Sequence, residues 1–249
     1  MLKEFISLVE RYDPSYSRKI QGARTAEILQ LEELAGHPLP SRYREFLALI
    51  GKSMGGLELE GVDFRIERIT DFYQSGEWVP PAGYILFGMH EEDPYLDYYL
   101  ECSNERTQDC PIVRFPSEGE FSKEKYFYPL DPSLNDFLLS LAFSEKRMER
   151  FNLQRVFIPA SSRKEQGPDI IKSSAALAST IDERAKKLGF ERVAESSTVY
   201  RFYDQESAAL YVRYEEASGS FGLTVGAQRK RDLERIGDIL SNKTSLTPS

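Results

Sequence analysis

The chain has 249 residues, with 32 Lys and Arg against 40 Asp and Glu, a formal net charge of −8. Its 41% hydrophobic and 12% aromatic content can fill a core, which excludes a disordered chain, and the length suits one large domain or two ordinary ones. Two cysteines, Cys102 and Cys110, are too few for a disulfide-stapled secreted fold or an all-thiolate zinc site.

The longest apolar stretches, such as Phe137 to Phe143, fall far short of the roughly 18 residues a membrane span needs, and the opening MLKEFISLVER lacks a secretory apolar region. A cytoplasmic protein that does not enter a membrane is therefore expected. Residues 1–145 carry 14 basic and 26 acidic side chains, a net −12, while residues 146–249 carry 18 and 14, a net +4. This contrast fits two domains meeting different partners, or two halves that attract one another.

Leu2, Phe5, Ile6 and Val9 recur at helical spacing, so a short amphipathic helix opens the chain. Ile28, Leu31 and Leu34 form a second helical stripe ending at Gly36. Tyr43, Phe46, Leu47 and Ile50 form a third, with Ser41 as expected N-cap and Gly51 as stop. Beyond Gly55-Gly56, β-branched and aromatic runs predict strands at 57–60, 64–66, 84–87, 95–102, 112–115 and 126–128. A helix is expected over 131–143, capped by Ser133 or Asp131.

After a strand at 156–159 and a polar connection at 161–168, the spacing of Ile170, Ser174, Leu177, Ile181, Ala185 and Leu188 predicts a long helix closed by Gly189 and Phe190. Strands are expected near Val193, at 199–203, at 210–214 and at 221–225. A last helix carries Leu233, Ile236 and Leu240, and the tail from Ser241 is expected to be disordered. The organisation predicted is an α+β domain over 1–145 and a smaller α+β domain over 146–249.

Catalytic motifs fail on context. Gly51-Lys52-Ser53 resembles the end of a P-loop, but Phe46 stands where that loop needs a glycine, and a helix instead of a strand leads in. The stretch Gly51 to Gly55 matches GxSxG with its strand and helix reversed, and only His37 or His90 could serve as base. His90-Glu91-Glu92-Asp93 has ligand types without a second histidine at i+4, and reads as a solvated acidic loop. Cys102 and Cys110 flank seven residues in a hairpin-like loop; without CxxC spacing they read as buried strand thiols. Trp78 is expected to pack over a sheet edge, and Arg229-Lys230-Arg231 with Arg235 to form a solvated helix face. No catalytic residue, cofactor, metal or nucleic-acid site follows.

One stretch carries a resemblance. Ile28-Leu29-Gln30-Leu31-Glu32-Glu33-Leu34-Ala35-Gly36-His37-Pro38-Leu39-Pro40-Ser41-Arg42-Tyr43-Arg44-Glu45-Phe46-Leu47 resembles the opening signature of the SUKH superfamily of bacterial immunity proteins and fungal cell-wall synthesis regulators. Gly83 to Gly88 resembles the strand entering that family's sheet, Cys110 to Val113 its Pro-Val strand, and Leu134 to Leu138 its closing helix. The chain departs from the pattern after Phe46-Leu47, where Gly51 to Gly56 makes a longer turn without the family's Asn. The likeness covers about residues 1–145. It implies helices packed on one mainly antiparallel sheet in a non-enzymatic protein, which in bacteria neutralises a toxin by binding it; a regulatory or scaffold protein of the cell-wall type is the alternative it leaves open.

Independently of the resemblance, Glu91, Glu92, Asp93, Asp97 and Glu101 lie among Tyr95, Tyr98 and Tyr99. Carboxylates interleaved with tyrosines suit a basic protein partner such as a nuclease toxin. The expected partner-binding residues are Glu91, Glu92, Asp93, Tyr95, Asp97 and Tyr98.

Overall fold

A computed structural model describes residues 2–102, 108–117, 121, 123, 127–160, 168–242 and 244–249, with the backbone alone for 168–172. The chain divides into two compact units, Met1–Leu141 and Ala142–Ser249. The polar connection expected over 161–168 falls, but for Pro168, outside the described residues.

In the first unit, α1 (Leu2–Tyr12) buries Leu2, Phe5, Leu8 and Val9, the stripe that its helical spacing dictates. After β1 (Ile20–Gln21), α2 (Thr25–Ala35) stops at Gly36, whose φ of 75° is the left-handed cap conformation. α3 (Ser41–Ile50) buries Tyr43, Phe46, Leu47 and Ile50. Its N-cap is Pro40, not Ser41: the Ser41 hydroxyl turns away and donates to the Gln108 carbonyl at 3.2 Å. β2 (Ser53–Met54) pairs antiparallel with β1.

The next segment corrects the reading of 57–60 and 64–66 as strands. Residues 57–60 make only an isolated bridge, Leu59 to Val62, and the short β3 (Val62–Asp63) is followed by α4 (Ile66–Ser75). Ile66 and Ile69 are buried one helical step apart and Gly76 closes the helix at φ 65°; β-branched residues suit strands by propensity, but helical periodicity and the tertiary surroundings prevail.

β4 (Tyr84–His90), β5 (Tyr98–Glu101), β6 (Ile112–Arg114) and β7 (Tyr128–Asp131) complete a five-stranded antiparallel sheet in the order β3-β4-β5-β6-β7. The strand expected over 95–102 is shorter because Pro94–Leu96 forms a 3-10 turn. α5 (Leu134–Lys146) starts at Ser133, whose hydroxyl accepts the Asp136 N–H at 3.0 Å, and Asp109 accepts the N–H groups of Leu134 and Asn135 at 2.9 and 3.3 Å. These bonds satisfy amide groups that every helix start leaves open. Phe87 anchors the core: its ring lies 4.9 to 5.7 Å from those of Tyr43, Phe46, Phe64 and Phe137, separations at which aromatic pairs add to simple burial.

In the second unit, β8 (Leu153–Pro159) precedes α6 (Pro168–Lys187), then β9 (Glu191–Arg192), β10 (Tyr200–Gln205), β11 (Ala208–Glu215), β12 (Ser220–Ala227), α7 (Lys230–Ser241) and β13 (Leu246–Pro248). The six strands form one antiparallel sheet in the order β13-β8-β12-β11-β10-β9. Alternation decides its faces: Leu210, Val212 and Tyr214 share a core with Leu223 and Val225, Leu177, Ile181 and Ala185 of α6, and Leu233, Ile236 and Leu240 of α7.

The tail expected to be disordered is part of this sheet. Leu246, Thr247 and Pro248 pair with Pro159, Ile158 and Phe157, and Leu246 is only 4% exposed. A Ser/Thr-rich composition concealed one apolar anchor and an open sheet edge.

Candidate partner-binding site

β4 ends at His90, and the turn that follows is held mostly by side chains that accept its backbone N–H groups. The Asp97 carboxylate accepts the His90 N–H at 2.7 Å, and the Gly61 carbonyl accepts the Glu91 N–H at 2.8 Å. His90 Nδ1 accepts the N–H groups of Glu92 and Asp93 at 3.3 and 3.2 Å, so a neutral ring carries its proton on Nε2. Asp93 caps the 3-10 turn by accepting the Tyr95 N–H at 2.9 Å, and the Pro94 carbonyl accepts the Ser117 N–H at 3.1 Å. An acidic turn tied down in this way presents its charges with little ordering left to lose on binding.

Of the six residues the sequence proposed for a partner, four remain at this surface. Glu91 and Glu92 are exposed, Tyr95 is 47% exposed and Asp93 is half-buried. Asp97 and Tyr98 are corrections, at 1% and 9% exposure. Asp97 bonds the His90 amide and the Ser117 hydroxyl, which in turn bonds the Tyr99 hydroxyl; burial raises its carboxyl above the ordinary 3.8, against the lowering pull of those donors. Tyr98 packs against Phe64 and Phe137. Neighbouring Glu101 accepts from Lys123 at 2.7 Å and from the Tyr84 hydroxyl at 3.0 Å.

Beside the turn lies a cleft of about 530 Å³ walled by the end of α3, the 56–65 segment and Glu91. Two cations on it are committed: Arg65 grips Asp63 through Nε and a terminal nitrogen, and Lys52 bonds Glu27 at 2.7 Å and Glu67 at 3.2 Å. Burial works against the Asp63 charge, yet Arg65 holds its carboxyl below 3.8. Glu58, Glu60, Glu91 and Glu92 are exposed, and among the described residues no ion pair reaches them.

Glu58 and Glu60 were missed as site residues. Leu57-Glu58-Leu59-Glu60 alternates, and that alternation was the available signal: Leu57 is buried and both carboxylates face solvent.

The remaining motifs have structural places. Ser53 lies in β2, with its hydroxyl accepting the Gly55 N–H at 3.2 Å. Trp78 packs near Phe72, Tyr99 and Phe115. Arg229, Lys230, Arg231 and Arg235 are exposed around the start of α7, where Arg229 pairs with Asp232 at 2.6 Å. Cys102 and Cys110 are brought together, with their sulfurs 3.1 Å apart. Among the described residues no helix is long and apolar enough to cross a membrane.

The first unit is thus an α+β domain, helices with a five-stranded antiparallel sheet and a separate two-stranded ribbon of β1 and β2, with an acidic turn and cleft at the end of β4. Its residues 22–140, just under half of the chain, match the model of the SMI1 / KNR4 family (SUKH-1). The family consists generally of non-enzymatic proteins that bind other proteins, and it holds both immunity proteins and cell-wall regulators. Comparison with curated proteins yields no match.

Proposed function

We propose that the protein is an immunity protein, which neutralises a basic bacterial toxin by direct binding through the acidic turn and cleft. The observation that carries this reading is the set of four exposed carboxylates, Glu58, Glu60, Glu91 and Glu92, to which no cation is paired among the described residues. Residues 1–145, at net −12, attract a cationic protein over a distance and speed its encounter. The cleft accepts lysine or arginine side chains from the partner, and half-exposed Tyr95 supplies an amphipathic anchor of the kind that dominates interface energies. A toxin whose basic groove handles nucleic acid would lose access to its substrate when that groove is covered.

Affinity capture from the native host, washed at low and then high salt, tests this reading. One stoichiometric basic partner, released by salt and toxic when expressed alone, is expected. The double variant Glu91→Gln/Glu92→Gln should then associate roughly three- to tenfold more slowly and show a shallower salt dependence. Unchanged kinetics would remove the acidic turn from the interface. Several weak associates in place of one partner would favour a scaffold of the cell-wall regulator kind.

A further inference from the structure

Cys102 follows β5 directly and Cys110 stands two residues before β6. The two strands pair antiparallel, with Leu100 opposite Ile112, and the Glu101 N–H donates to the Pro111 carbonyl at 2.9 Å. One step further along that register, Cys102 faces Cys110. The Cys102 N–H points away from β6 and donates to the Gly83 carbonyl at 2.6 Å, so the two cysteines occupy a non-hydrogen-bonded cross-strand position. In that position Cα atoms approach to about 4.5 Å, within the span a disulfide bridges. The two thiol sulfurs are already 3.1 Å apart.

The surroundings favour chemistry between the two sulfurs. The nearest carboxylate in sequence, Glu101, is engaged by Lys123 and Tyr84. Cys110 is 1% exposed while Cys102 is half-buried, so a reagent reaches Cys102 first. The hydrogen bond with Cys110, burial and the Glu101 charge all push the Cys102 thiol up.

We propose that Cys102 and Cys110 form a reversible redox modification site, which a small-molecule disulfide such as oxidised glutathione converts to an intrachain disulfide. The Cys102 thiolate attacks one sulfur of the oxidant, breaking its S–S bond and releasing one glutathione, which takes up the proton Cys102 gave away. Cys110 then loses its proton and attacks the Cys102 sulfur of the mixed disulfide, forming the Cys102–Cys110 bond and expelling the second glutathione. The protein gives up two electrons and two protons, and the oxidant leaves as two thiols. The new bond ties β5 to β6 at the base of a limb that holds two helix starts. On it, Gln108 accepts the Arg42 N–H at 3.0 Å, and Asp109 accepts the first amides of α5.

The test equilibrates the intact protein with excess oxidised glutathione, alkylates what thiols remain and reads the intact mass and the peptide map. Expected are a mass lowered by two hydrogens, the loss of both alkylatable thiols together, one peptide pair joined through Cys102 and Cys110, and full recovery with dithiothreitol. The Cys110→Ser variant should stop at a glutathione adduct on Cys102. Two results would overturn the proposal: an adduct persisting on Cys102 of the unaltered protein while Cys110 still alkylates, or both thiols alkylating in full after equilibration.

Discussion

The carboxylate of Asp97 accepts the backbone N–H of His90 at 2.7 Å, closing the turn that carries Glu91 and Glu92. Removing this buried acceptor leaves the His90 amide without its partner and takes from the Ser117 hydroxyl one of its two. Asp97→Ala should lower the unfolding free energy by about 1 to 3 kcal/mol, whereas Asp97→Asn, neutral and of the same shape, should recover most of it. Burial lifts the folded carboxyl above 3.8, so folding favours its protonated form. Its contribution is greatest below 3.8 and declines as pH rises through the folded value. Urea unfolding of the three proteins checks both statements.

Glu27 behaves in the opposite sense. Hydrogen bonds from Arg24 and then Lys52 lower its carboxyl from 4.5 to about 2. Its stabilisation is therefore complete above 4.5 and is lost as pH falls towards about 2. Glu27→Gln should flatten that part of the pH profile, and added salt should flatten the profile of the unaltered protein, because these groups are solvated. Urea midpoints measured across this range at two ionic strengths decide the matter.

Two glycines should respond very differently to one added methyl group. A Cβ on Gly22 would stand 1.8 Å from the Ala48 carbonyl oxygen and 2.6 Å from its carbon, so α3 and the strand before α2 could not both keep their places. Gly22→Ala should cost roughly 4 kcal/mol or more. Gly36, at φ +75°, has nothing within 4 Å of such a carbon, and Gly36→Ala should cost only about 1 kcal/mol of backbone strain. Thermal unfolding of each variant separates the two cases.

Leu246 pins β13 to the sheet of the second unit while its neighbour Thr247 faces solvent. Leu246→Ala should destabilise that unit by about 2 to 4 kcal/mol, and Thr247→Ala should stay within about 0.5 kcal/mol of the unaltered protein. Hydrogen exchange at the amides of β8 reports the difference residue by residue.

Elements whose signals are local were legible in the order of residues alone. The stripe of Tyr43, Phe46, Leu47 and Ile50, the left-handed stops at Gly36 and Gly189, and the alternation of Leu210, Val212 and Tyr214 all stand as their spacing predicts. Such patterns follow from the 3.6- and two-residue repeats of the backbone, which neighbouring residues express without help. The signature around Leu39-Pro40 belongs with them, since it is made of a helix stop, a helix start and the apolar face that follows.

Which of several permitted faces was used depended on contacts between segments far apart in the chain. Asp97 and Tyr98 look like surface chemistry in sequence, but the pairing of β5 between β4 and β6 and the donors on His90 and Ser117 turn both inward. Ile66 to Ser75 became helix although its first residues favour strand. Glu58 and Glu60 joined Glu91 on one cleft, and Cys102 met Cys110 across a strand register fixed several residues away. Each outcome depends on groups distant in the chain competing for the same buried space or hydrogen bond, and that competition is settled only when the sheet and its helices close.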